Sequence, residues 1–177
     1  MLATVVAVPV VVALVVLVNV VGARTDGDTP PAQVEGTTAA PRGNLPVLPV
    51  PVPDVTPEAE KLFPGLMGNL PLELAGEPSR RVDSDTPYAY AWGEPPTVLV
   101  CGVDRPEGFT AASGLIQING VQWFVDTSEP DVTVWTTVDR PVYVEVRVPA
   151  SSDSAGVTEL TVPIAAHLDQ QDPEPAG

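Results

Sequence analysis

The sequence holds one histidine and one cysteine, and these two scarcities close off more chemistry than any motif opens. A lone cysteine, Cys101, has no partner for an internal disulfide. One His beside one Cys leaves a transition-metal site without its usual nitrogen and sulfur ligands. Lysine occurs once, as Lys61. All cations together number 8 against 23 carboxylates, for a formal charge of −15. Such a surface repels nucleic-acid phosphates, so no DNA or RNA partner is expected. It is repelled by anionic lipid headgroups as well. Solubility is the ordinary role of that charge, and recruitment of a basic partner or of cations is the sharper alternative. No G-x-S-x-G elbow and no EF-hand spacing is present. No motif implies a cofactor.

Charge is also absent from the first 23 residues. Between Leu2 and Gly22 only Thr4, Pro9 and Asn19 interrupt an apolar run. Roughly 20 such residues suffice to cross the hydrocarbon core as a helix. A core helix of a small domain would show a polar face. Residues 1–23 therefore read as a transmembrane anchor or a signal segment. A signal peptide has a basic n-region and a shorter apolar core, and their absence favours a retained anchor. Val21-Gly22-Ala23 is nonetheless an acceptable cleavage site, and the missing n-region leaves a start upstream open. No cysteine follows the run, so lipoprotein acylation is excluded. Only Arg24 flanks the span, so the positive-inside rule has little to count. The scarcity of lysine, the prolines and the polar linker favour export. The reading is a single-pass protein of the cell membrane whose C-terminal domain is extracytoplasmic. A form secreted after signal cleavage is the alternative.

Residues 24–54 read as a disordered, Pro-rich linker. The first part is too polar to order itself. In the second, Leu45-Pro46-Val47-Leu48-Pro49-Val50-Pro51-Val52-Pro53 reads as an extended, polyproline-like spacer that gives reach. A ligand for a proline-recognition module is the other reading of that run. A globular domain is expected over 55–168, and a disordered acidic tail over 169–177.

Within the domain, Thr56-Pro57-Glu58 reads as a helix start. Ala59, Leu62, Phe63, Leu66, Met67 and Leu70 then share one face. Pro64 should kink or split this helix. Residues 75–96 look loop-like, with a short strand at Tyr88–Trp92. Val98–Val103 is apolar throughout and suits a central strand buried on both faces. Leu115–Ile118 and Val121–Val125 flank Asn119-Gly120, which favours a type I′ turn. That register pairs Ile118 with Val121, Gln117 with Gln122 and Ile116 with Trp123. Val132–Val138 and Val142–Val148 form a second hairpin, turning at Asp139-Arg140-Pro141, and the latter strand alternates with period two. Thr161 reads as the cap of a short C-terminal helix, with Pro163 in its first turn and Leu160, Ile164 and Leu168 on one face. The expected fold is α+β, about five antiparallel strands covered by N- and C-terminal helices.

Several of these residues occur in a familiar arrangement. Leu70-Pro71 through Gly76, Arg80-Arg81, Ala91-Trp92-Gly93-Glu94-Pro95-Pro96 and Cys101-Gly102-Val103 with Pro106 carry it, and the Trp-Gly and Cys-Gly-Val block is its most specific part. Asn119-Gly120-Val121 with Trp123, Thr136–Arg140 and Val142–Val146 running to Pro149 extend it. The chain resembles, over about residues 58–168, a family of actinobacterial exported or membrane proteins known as domain of unknown function 3515. The resemblance implies an envelope protein and carries over no catalytic residue. It also implies a second cysteine near Leu62 or Phe63, able to pair with the strand cysteine. This chain has none there, so that disulfide is excluded for Cys101.

Candidate sites are few. His167 sits near a helix C-terminus, where a cation suits the dipole, and lacks the neighbours of a catalytic histidine. Cys101 reads as a buried apolar side chain, since reactivity needs a nearby base or cation. Asp83-Ser84-Asp85 reads as a solvated loop; with Asp104 it is the one candidate for hydrolase-like acid–base chemistry. Arg80-Arg81 can grip a carboxylate or phosphate bidentately, or pair with local acids. Trp123 belongs in the core by the hairpin register. Trp92 and Trp135 are candidates for exposed recognition residues. The expected function is a non-catalytic interaction domain that binds another envelope protein or a cell-wall component. Its expected contact surface combines Arg80, Arg81 and Trp92 with a sheet face bearing Trp135, Tyr143 and Arg147. The alternative is an envelope hydrolase using Asp83, Asp85 and Asp104.

Overall fold

The computed structural model describes residues 44–176; the apolar segment 1–23 and the linker as far as residue 43 lie outside them. No helix among the described residues is long and apolar enough to cross a membrane. The first helix, α1 (Pro57–Met67), begins where its cap chemistry dictates: the Ala59 N–H donates to Thr56 Oγ1 at 3.2 Å, with Pro57 in the first turn. It buries Ala59, Phe63 and Leu66. Pro64 does not split it. Pro64 and Glu60 both lie on the exposed side, where water can serve the carbonyl that proline leaves without a donor.

The strands are β1 (Leu48–Pro49), β2 (Glu73–Leu74), β3 (Glu77–Arg80), β4 (Val82–Asp83), β5 (Ala89–Trp92), β6 (Thr97–Val103), β7 (Ile116–Ile118), β8 (Val121–Asp126), β9 (Val132–Thr137) and β10 (Tyr143–Pro149). The last helix is α2 (Ala155–His167). The α+β class holds, but the antiparallel sheet has eight strands rather than about five, in the order β2-β3-β5-β6-β10-β9-β8-β7. The additional strands β2 and β3 are short and carry Glu73, Glu77 and Pro78, so no hydrophobic period announces them.

The Asn-Gly hairpin forms in the expected register, Ile116↔Trp123, Gln117↔Gln122 and Ile118↔Val121. Asn119 and Gly120 take φ of 45° and 80°, as a type I′ turn requires. The helix α2 starts at Ala155, earlier than Thr161, because Val157 and Leu160 already face the core and Ala155 N–H finds Asp153 Oδ1 at 2.9 Å. Pro163 consequently lies inside the helix.

The chain turns at 139–142 between β9 and β10, as expected, but Asp139 and Arg140 are not exposed there. Both are buried and paired at 3.0 Å, and Arg140 Nη2 also donates to the Gly120 carbonyl at 3.0 Å. Burial pushes the Asp139 carboxyl above its usual range, against the opposing pull of the Gln122 N–H and Arg140. Their main-chain carbonyls need donors, and the C-terminal segment supplies them. Gln171 N donates to Asp139 O at 3.0 Å and Gln171 Nε2 to Arg140 O at 2.9 Å. Ala176 N then reaches Phe109 O at 2.9 Å. The tail expected to be free from residue 169 onward is held down through this seam.

Both helices cover one face of the sheet. Phe63 and Leu66 from α1, and Val157, Leu160 and Ile164 from α2, pack with Trp92, Leu99, Cys101, Trp123, Val144 and Val146. The opposite face carries a smaller cluster of Val50, Ala89 and Val100, with Leu48, Val52, Val82, Val98 and Val103 around it. The prolines of residues 46–53 therefore do not sit in a free spacer. The Leu48 and Val50 N–H groups donate to Arg81 O (3.0 Å) and Asp83 O (2.9 Å), making β1 a parallel partner of β4. In such a ladder alternate residues donate, so Pro49 and Pro51 occupy the positions where a missing N–H costs nothing. Leu48, Val50 and Val52 turn to the sheet, as period two demands. The segment is extended, as expected, but it works as a strap over the second face.

Candidate functional site

The strap does not cover the whole second face. Beside it, on the outward side of the sheet, lies a cavity of about 580 Å³. Its wall is the strap from Leu48 to Pro53, and its floor is Val98, Val100 and Val103 of β6 with Glu145 and Arg147 of β10. A second concavity of about 280 Å³ adjoins it and shares Glu145 and Arg147. Val134 and Thr136 of β9 and Phe124 and Asp126 of β8 line this one, together with Asp104, Glu107 and Gly108. Phe109 holds that wall in place by packing its ring on Phe124, centroids 5.8 Å apart. Together the two concavities make one groove, apolar beside the strap and acidic toward β8.

Arg147 stands at the junction. Its Nη2 donates to both carboxylate oxygens of Glu129 at 2.7 Å, and its Nη1 lies 3.5 Å from Glu145 Oε1. Burial alone would lower the guanidinium pKa; hydrogen bonding and charge from Glu129, then from Glu145, raise it instead. Asp126 accepts the Ser128 N–H at 2.8 Å, which holds its carboxyl below the usual value. Tyr143, on the same face, is raised by burial and then by the Glu174 carboxylate, with Arg105 opposing.

The six residues expected to form one contact surface are not together. Tyr143 and Arg147 share the groove face, since they alternate with the buried Val144 and Val146. Trp135 pairs with Val146 and so faces the helices, its ring edge-on to Trp123 at 6.3 Å. The expectation failed because Val134 and Thr136 of β9, not Trp135, point away from the core. Trp92 is buried, and its indole N–H donates to Pro71 O at 2.8 Å. Arg81 is exposed. Arg80 is buried at the foot of the strap, donating to Gly93 O at 3.0 Å and Pro46 O at 2.9 Å and pairing with Glu94. Two of the three groups it binds are main-chain carbonyls, so it works as a clamp on the strap.

The carboxylates of the hydrolase alternative are exposed and divided between sites. Asp85 shares a pocket with Arg80, Ser84 and Tyr90, whereas Asp104 lines the groove; Asp83 lines neither. His167 packs at the contact of the two helices, where a Cβ on Gly65 would lie 3.3 Å from Nδ1. Cys101 is buried with its sulfur 3.9 Å from that of Met67, and burial pushes the thiol pKa up. Among the described residues, no group of three or more His, Cys, Asp or Glu side chains is placed to hold a metal ion.

Sequence reasoning missed the strap and both walls of the groove. One signal was available. The apolar run of β6 implied two buried faces, the helices supply one cover, and the Leu-Pro-Val-Pro-Val-Pro alternation could supply the other.

The family model for the protein of unknown function DUF3515 matches residues 4–173. The chain belongs to the DUF3515 family. The match spans the strap, both helices, the whole sheet and most of the tail, so the groove is built from DUF3515 residues throughout. Comparison with curated proteins and with solved structures finds no match.

Proposed function

We propose that this chain is a non-catalytic interaction domain of the cell envelope, held at the membrane by its N-terminal apolar segment. The groove over β6, β10 and β9 is its contact surface, and an envelope protein or wall component is its partner. The observation that carries this reading is the unequal covering of one sheet. On the helix side a concavity of about 260 Å³ lies at the start of α2, while the strap side leaves a larger cavity of about 580 Å³, within the range of sites that bind ligands and side-chain anchors. The dispersal of Asp83, Asp85 and Asp104 supports binding over hydrolysis, because acid–base catalysis needs its carboxylates around one reacting atom.

Photo-crosslinking in intact cells tests the proposal. A photoreactive residue replaces Val134 in the groove or, separately, Val162, which is 60% exposed on α2. A recurrent envelope product from position 134 and none from position 162 is expected. The same products from both positions, or products from position 162 alone, would overturn the assignment of the face.

A further inference from the structure

We infer that the groove receives an extended polypeptide segment in which Lys or Arg alternates with apolar side chains, an inference that rests on the interaction reading above. The shape comes from the neighbouring strap. Leu48, Val50 and Val52 already lie on the same sheet face in extended, period-two fashion, and the groove runs beside them. A segment laid there would offer every second side chain to the half-exposed Val98, Val103 and Val134.

The charge comes from the lining. Asp104, Glu107, Asp126, Glu129 and Glu145 face the groove against one cation, Arg147. Arg147 is already engaged by Glu129 and Glu145. Among the described residues no ion pair holds Asp104, Glu107 or Asp126. Clefts lined by one sign of charge attract the other and reject their own. The chain's own residues 24–43 are a poor complement, with Asp26, Asp28 and Glu35 against Arg24 and Arg42. Anionic polymers are repelled on the same ground.

The test titrates labelled peptides of about eight residues, roughly 26 Å when extended, into the full-length chain in detergent and follows fluorescence anisotropy. The three probes are alternating Val-Lys, alternating Val-Glu and alternating Ser-Lys. Val-Lys is expected to bind, Val-Glu not to bind, and Ser-Lys to bind about tenfold more weakly, since its hydroxyls bury less apolar area. Asp104→Asn with Glu107→Gln, both exposed, should weaken Val-Lys about tenfold and flatten its salt dependence, with circular dichroism unchanged. Equal binding of Val-Glu would overturn the inference. So would Ser-Lys binding as tightly as Val-Lys, or Val-Lys binding that is unchanged in the charge variant. If no peptide binds while position 134 still captures its partner, the partner chemistry fails and the interaction reading stands. If position 134 captures nothing either, both fall.

Discussion

The two faces of the sheet are covered by different means. On one, two helices set Phe63, Leu66, Leu160 and Ile164 against Leu99, Val144 and Val146, and all of these are fully buried. On the other, a six-residue strap buries Val50 and Val100, while Val98, Val103 and Val134 stay half-exposed. A helix brings a broad apolar stripe to a sheet; an extended strap brings only alternate side chains. A strap can close the core without filling the surface beside it, and the remainder is a groove. The difference teaches where to look for function in this fold: on the face with the thinner cover.

The comparison can be broken at several points. Phe63→Ala empties the helix-side core and should cost about 3–5 kcal/mol, read by chemical denaturation. A loss under ~1 kcal/mol would show that this side is not closely packed. Thiol accessibility should divide the faces next. Cys101 should resist alkylation in the native chain, whereas Val52→Cys on the strap should react at least about a hundredfold faster; equal rates would abolish the distinction. Arg80→Ala removes the clamp and should cost ~2 kcal/mol, as charged hydrogen bonds to carbonyls do. It should also open residues 46–53 to protease before the rest unfolds, and unchanged proteolysis would mean that the strap holds without Arg80. Glu129→Gln should change stability by only about 0.5 kcal/mol, because its pair with Arg147 is solvent-exposed. A much larger loss would make that pair structural.

Local chemistry was the legible part of the sequence. The Thr56 cap, the Asn119-Gly120 turn with its register, and the two-sided burial of β6 follow from adjacent residues. What adjacent residues do not specify was harder to see. The strands β2 and β3 owe their existence to pairing with β5, not to their own side chains. The direction of Trp135 is set by register with Val146, and its neighbours along β9 alternate valine with threonine, so either face looked plausible. The strap was hidden because proline reads as a spacer until its bonding partner, β4, is known. The site followed the strap: Arg80 and Arg147 were legible as scarce cations, but the groove between strap and β8 depends on contacts across the whole sheet.

The most direct test of the working face is a valine-methyl NMR titration of the full-length chain with the Val-Lys peptide. The account predicts shifts at Val98, Val100, Val103 and Val134, with Val121, Val144 and Val157 on the helix side unmoved. Shifts centred on the helix-side valines would contradict it.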